Sequence, residues 1–330
     1  MLVDMKAAHL STWCAQPVAV GAGGQRPRSG FGVRAPALPR PSYRGMVIFE
    51  ERFLTGRVAT VASRVWFLET EPLGAYEKIL PLPFAHLIVN LSDPYRLFRS
   101  DGTATVVADA FVSGLQSDYL VIESPPQIRH VGLELAPAGL HALAPGAGVS
   151  AAGRVQDARA LLTGIDEVVE RLGAVADVAD PAPALDVLEA LARTAEPVDE
   201  LVASGLSLLG QDPETTVTAV AEAVGSSPAA FIARFRGVTG VTPKQHAQVV
   251  RFHRFVSAVH ESGGAPDWAA LAVAAGYYDQ PHVIRAFRRF SGWTPTEYYR
   301  LVAEHGPMAA HFVPLDQVPT TAAGEPQAPS

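Results

Sequence analysis

Cysteine is almost missing: Cys14 is the single one among 330 residues. One thiol excludes an internal disulfide framework and any zinc site built from several cysteines, and it fits a reducing cytoplasm. The ten histidines form no HExxH and no HxH, and none has a cysteine at ligand spacing. No metal and no cofactor is therefore expected. No apolar run approaches the ~18 residues that cross a bilayer, and the N-terminus has no basic-then-apolar signal pattern. That argues against a membrane partner and for a cytoplasmic location. A G-x-S-x-G elbow is also missing, and Cys14 sits beside a Gly/Pro-rich stretch, a poor setting for a preorganised nucleophile. The chain does not read as an enzyme.

Positive charge is scarce overall, the formal net charge being −7. Its distribution matters more than the total. Residues 1–44 hold six Lys/Arg against one Asp, residues 45–208 eleven against 22 acids, and residues 209–302 nine against seven. The tail 303–330 holds only acids, three of them. The acidity belongs to the middle of the chain, so a basic surface near the C-terminus is not excluded.

What is present divides into segments. Residues 15–44 are rich in Gly, Pro and Arg without an apolar period, and 1–45 reads as a disordered leader. The "GAGG" inside it has neither a strand before it nor a helix after it, so it is no phosphate loop. Met46 opens the first structured segment and is a candidate true start. Over 46–150, short runs such as "RVWFLE" (64–69), "AHLIVNL" (85–91), "YRLF" (95–98), "TATVVA" (103–108), "DYLVIE" (118–123) and "HVGLEL" (130–135) predict a β-rich regulatory domain. Asp101-Gly102 marks a hairpin turn. Arg64, Trp66, His86, Asn90 and His130 are polar or amphipathic residues set in apolar runs. They are read as core or rim residues first and as a ligand-pocket lining second. Residues 151–209 predict a helical connector, with Leu161, Leu162, Ile165, Val168, Val169 and Leu172 on one helical stripe. Residues 303–330 read as a disordered tail.

The C-terminal segment contains itself twice. "FIARFRGVTGVTP" (231–243) and "VIRAFRRFSGWTP" (283–295) align, matching Phe235 with Phe287, Gly240 with Gly292, and Thr242-Pro243 with Thr294-Pro295. A short Ala/Val-rich helix ending in glycine precedes each copy, which marks a duplicated supersecondary unit. In the second copy Gly276 supplies a left-handed cap, Asp279 an N-cap, and Pro281 sits where a missing N–H costs little. The following helix buries Val283, Ala286, Phe287 and Phe290 and exposes Gln280, His282, Ile284, Arg285, Arg288 and Arg289. This is a helix-turn-helix whose second helix fits the major groove of double-stranded DNA. Arg suits guanine, Gln suits adenine, and Ile284 suits a thymine methyl. The bland alternative is a helical hairpin with a solvated basic face, and duplication about one amphipathic helix (Lys244–His260) counts against it.

"AGYYDQPHVIRAFRRFSGWTPTEYYR" and "VGSSPAAFIARFRGVTGVTPKQH" resemble the two helix-turn-helix signatures of AraC/XylS-type transcription regulators, over about residues 215–302. The resemblance implies two such units joined by a linker helix, reading successive major-groove segments on one face of DNA. It also implies an N-terminal domain that senses a small-molecule effector or mediates homodimerisation, and RNA polymerase as a partner for an activator. The 46–150 region has no His-x-His signature of metal-binding cupins. In the first unit the family's base-reading positions fall on Ala229, Ile232 and Ala233, none able to hydrogen-bond a base edge. Arg234, Arg236 and Lys244 there suit phosphates. The expected fold is thus α+β: a mostly-β N-terminal domain, a helical connector, and an all-α DNA-binding domain over 210–302. The runner-up function is a protein-interaction module that has lost specific DNA binding.

Overall fold

Alternating apolar residues with turn residues between them drive the first half of the chain into antiparallel strands. A computed structural model describes residues 48–72, 74–107, 109–261, 266–305 and 312–315. The leader 1–45, Met46 and most of the tail lie outside the described residues. The strands are β1 (Ile48–Phe53), β2 (Ala62–Thr70), β3 (Tyr76–Ile79), β4 (Ala85–Asn90), β5 (Tyr95–Arg99), β6 (Ala104–Val107), β7 (Ala110–Ser113), β8 (Leu120–Glu123), β9 (Ile128–Leu135), β10 (Val155–Asp157) and β11 (Phe312–Leu315). They form two antiparallel sheets, ordered β1-β2-β9-β4-β7-β10 and β11-β3-β8-β5-β6. The Asp101-Gly102 turn joins β5 to β6, with Gly102 at φ 84° and the Asp101 carboxylate accepting from the Thr103 amide.

The period of two sorts the first sheet into two faces. Val65, Phe67, Leu87, Val89, Val131, Leu133 and Leu135 pack in one core with helices. The opposite face carries Arg64, Trp66, His86, Asn90, His130 and Glu134, register partners across β2, β9 and β4. It looks toward the second sheet, where Tyr95 lies 5.8 Å from the His130 ring and 6.4 Å from Phe111. Gly132 is required there, because a Cβ would stand 2.1 Å from the Trp66 ring opposite it. Arg64 donates to Glu134 and Glu51 at 2.5–3.0 Å, so the buried charges satisfy one another.

The helices are α1 (Gly139–Leu143), α2 (Ala147–Ala151), α3 (Ile165–Val175), α4 (Ala182–Arg193), α5 (Glu200–Gln211), α6 (Val217–Ala223), α7 (Pro228–Thr239), α8 (Pro243–Glu261), α9 (Trp268–Ala274), α10 (Gln280–Ser291) and α11 (Pro295–His305). Three sequence expectations need correction. The stripe from Leu161 to Leu172 is not one helix: 155–157 is strand β10, paired with β7, and Gly164 at φ 78° delays α3 to Ile165, past Leu161 and Leu162. Nor is 151–209 only a connector. Ile165, Leu172, Leu185 and Leu188 of α3 and α4 share the core of the first sheet, because its apolar outer face must be covered. The tail expectation also fails at 312–315, where β11 pairs with β3 over residues 76–79. Among the described residues no helix is long and apolar enough to cross a membrane.

Three buried imidazoles make the fold sensitive to acid. Burial pushes His130, His246 and His253 down from 6.5 to about 4. The unfolded chain takes these protons first as pH falls. Stability is therefore full above pH 6.5 and declines toward pH 4, by about 1.4 kcal/mol per pH unit for each histidine. Thermal melting near pH 7 and near pH 5 should give a clearly lower Tm at the acid end; an equal Tm contradicts this account.

Candidate nucleic-acid interface

Both repeats fold by the same local rules. Thr216 caps α6 and Asp267 caps α9, each side chain accepting from amides of the first helical turn. Gly225 (φ 70°) and Gly276 (φ 80°) then end these short helices in the left-handed region. Ser227 caps α7 through the Ala230 amide, and Asp279 caps α10 through the His282 amide at 2.7 Å, with proline in the first turn of each. Gly240 (φ 78°) and Gly292 (φ 77°) close the two longer helices. The next helix of each unit starts with a capping box: Thr242 exchanges bonds with Gln245, and Thr294 with Glu297.

Each unit has its own core. Phe231, Phe235 and Val238 fill the first, while Val283, Phe287 and Phe290 fill the second. The 19-residue helix α8 serves both, giving Ala247 to the first core and Val249, Phe252, Phe255, Val256 and Val259 to the second.

Burying Phe287 and its stripe leaves α10 with two outward rows. Gln280, Ile284 and Arg288 form one; His282, Arg285 and Arg289 form the other. Gln280, Arg285, Arg288 and Arg289 are exposed, whereas His282 and Ile284 are half-buried. The second row meets α8. His282, Arg285, Ala286, Arg289 and Phe290 line a concavity of about 190 Å³ together with Gln248 and Arg251 of α8 and with Tyr277. Arg289 donates to the Gln248 side-chain oxygen Oε1 at 3.3 Å, and His282 sits edge-on to Tyr277 at 5.3 Å. Arg251 lies 5.6 Å from the Tyr277 ring and donates to the Pro213 carbonyl at 3.2 Å. Three arginines and, among the described residues, no carboxylate line this concavity.

The first unit differs. Ala229, Ile232 and Ala233 occupy the exposed face of α7. Arg234 is drawn sideways into an ion pair with Asp199, Nε to Oδ2 2.5 Å, the same residue that caps α5. Arg236 and Lys244 are exposed and form no ion pair among the described residues. The second-unit residues singled out from the sequence are thus contiguous, while Arg234 is engaged elsewhere. Sequence reasoning missed Gln248, Arg251 and Tyr277. Their i, i+3 spacing on α8 and the position next to Gly276 were the only local signals.

Residues 220–300 match the family described as Helix-turn-helix domain, and residues 57–151 match one described as Domain of unknown function (DUF6597). No curated protein matches the chain. Among solved structures, the chain is similar to ToxT from Vibrio cholerae O395, at 10% identity over 77% of this chain and 97% of that one, with a TM-score of 0.41. It is also similar to a DNA-binding transcriptional dual regulator from Escherichia coli K-12, at 23% identity over 32% of this chain and 93% of that one (TM-score 0.29). The AraC-like transcriptional activator CuxR is similar at 13% identity, over 66% and 89% (TM-score 0.25). The repeated fold and the matched segment together identify residues 220–300 as an AraC-type helix-turn-helix domain, the DNA-binding domain of a transcription regulator.

Proposed function

We propose that the chain reads double-stranded DNA unequally through its two units, which dock in successive major-groove segments on one face of the duplex. The second unit specifies sequence through Gln280, His282, Ile284 and Arg285, with Arg288 and Arg289 close by. The first unit anchors through phosphate contacts from Arg236 and Lys244, and from Arg234 once it leaves Asp199. The observation that carries this reading is the contrast between the two helices: α10 presents donors in two rows where α7 presents alanines. Phosphate contacts position a protein without reading bases, while donors in the major groove discriminate between them.

The β-sandwich is the candidate sensor. The inward polar set of Arg64, His86, Asn90, His130 and Glu134 would respond to a small polar effector, or the domain would pair two copies of the chain. RNA polymerase would be a further partner if the regulator activates. The reading is non-enzymatic and places the protein in the cytoplasm. The runner-up reading, a descendant that binds protein in place of specific DNA, rests on the alanine-faced first unit alone.

Selecting bound sequences from a random DNA pool at two salt concentrations separates these readings. We expect one enriched motif and a steep loss of affinity, roughly a hundredfold between about 50 and 200 mM salt for about four phosphate contacts. A pool that stays random, with a flat salt response, would overturn the proposal in favour of the protein-binding alternative.

A further inference from the structure

The two units rest on the N-terminal half of the chain through the same turn, the first on helix α2 and the second on strand β3. Gly240 and Gly292 occupy equivalent positions of the repeat, and each packs against the N-terminal half of the chain. At Gly240 a Cβ would stand 2.5 Å from the Gly148 carbonyl oxygen and 2.6 Å from Ala152 Cβ. In the other direction, a Cβ at Gly148 would stand 2.2 Å from the Val238 carbonyl oxygen. Gly148 lies on α2, whose Ala147 and Ala151 belong to the core of the first sheet. Val241, the next residue, packs against that core and against the core of the first unit.

The second unit repeats this contact with different chemistry. Lys78, on β3 of the second sheet, is 2% exposed. Its Nζ donates to the Ser291 carbonyl oxygen at 2.9 Å, in the last turn of α10. The same ammonium sits 3.7 Å from the Trp293 ring centroid and 4.1 Å from that of Tyr119. Trp293 is the repeat equivalent of Val241. A Cβ on Gly292 would stand 3.4 Å from Lys78 Nζ and from Tyr119 Cε1. A cation at a helix C-terminus is favoured by the helix dipole, and flanking aromatic faces add to that attraction. The neighbouring strand β11 pairs with β3, and its Val313 shares the core of the second unit with Phe252 and Phe287.

We propose that helix α2 and strand β3 of the N-terminal half fix the separation of the two DNA-contacting helices by gripping this equivalent C-terminal turn in each, with Lys78 as the positioning residue of the second grip. Touching no base, Lys78 acts through Ser291 and Trp293 on the placement of α10, so any rearrangement of the sandwich reaches DNA as a change in that separation. The inference rests on the reading that both units engage one duplex.

The test measures separation directly in the full-length chain. Spin labels at A233C and R288C, in a C14S background, report the distance between α7 and α10. We expect one narrow distance in the reference protein and loss of that single distance in Lys78→Met, with secondary structure retained by circular dichroism. Gly148→Ala, which disturbs the first grip alone, should broaden the distance in the same way and decides the matter if Lys78→Met does not fold. In unlabelled protein, Lys78→Met should flatten the salt slope of DNA binding by roughly one for each phosphate contact the first unit loses. A distance that stays narrow in both variants overturns the proposal, and so does an unchanged salt slope when the distance has broadened. If the unlabelled chain with its native Ala233 and Arg288 shows no sequence preference on DNA, the DNA reading fails, whatever the labels report.

Discussion

Arg285→Ala should weaken binding to the selected DNA site by roughly 5- to 150-fold, about 1–3 kcal/mol, and relax the preference at one base pair. Binding to scrambled DNA should fall far less. The expectation follows from where the side chain stands. Asp279 caps the helix, and Val283 and Phe287 are buried at 3% and 1% exposure. The backbone under Arg285 is thus fixed and its guanidinium faces outward. It makes no ion pair among the described residues, so its five donors remain available for a two-pronged contact with a guanine edge. Lysine keeps the charge and loses the fork. Arg285→Lys should therefore retain most non-specific affinity and lose most of the discrimination. Competition titrations with selected and scrambled duplexes read both quantities at once, and equal losses on the two duplexes would contradict the assignment.

Glu134→Ala should produce the largest loss of stability, about 3–5 kcal/mol. Glu134 is 1% exposed and accepts from Arg64 at 2.5 and 3.0 Å and from Ser63 Oγ at 2.5 Å. Removing the carboxylate takes the 2.5 Å ion pair away from the 8% exposed Arg64, whose bond to Glu51 stays at 2.9 Å. Weakening the pairing of a buried cation costs more than the lost contact itself, because its desolvation is less fully offset. Glu134→Gln keeps an acceptor and should cost less. Thermal melting of the two variants checks the order; a melting temperature for Glu134→Ala within a degree or two of the reference would contradict this view of the sandwich interior.

The parts of the molecule legible in the sequence were those set by neighbours along the chain. Hairpin residues Asp101-Gly102 and the caps at Asp279 and Gly276 act within a few residues of themselves, so their structure follows from their chemistry. The duplicated Phe and Gly-x-Thr-Pro spacing carries the two-unit architecture in the same way. What escaped depends on residues far apart. β3 reads "YEKI", and its Glu77 and Lys78 look like solvent-facing charge; β11 covers its edge from more than two hundred residues away, and Lys78 is buried against Ser291. Likewise the leucine stripe of α3 and α4 announces burial but not the sheet that buries it.

The candidate site shows the same division. The donors on α10 lie on one helix and were readable as one surface, whereas the Arg234–Asp199 pair joins α7 to the cap of α5. Gln248 and Arg251 come beside Arg289 only because α8 packs under α10.

The unequal division of labour between the two units is tested most directly by comparing Arg285→Ala with Arg236→Ala on matched and scrambled duplexes across a salt series. The account predicts that Arg285→Ala lowers the ratio of matched to scrambled affinity while keeping the salt slope nearly unchanged. It predicts that Arg236→Ala lowers both affinities alike and flattens the slope by about one. A larger change in sequence preference from Arg236→Ala than from Arg285→Ala would contradict it.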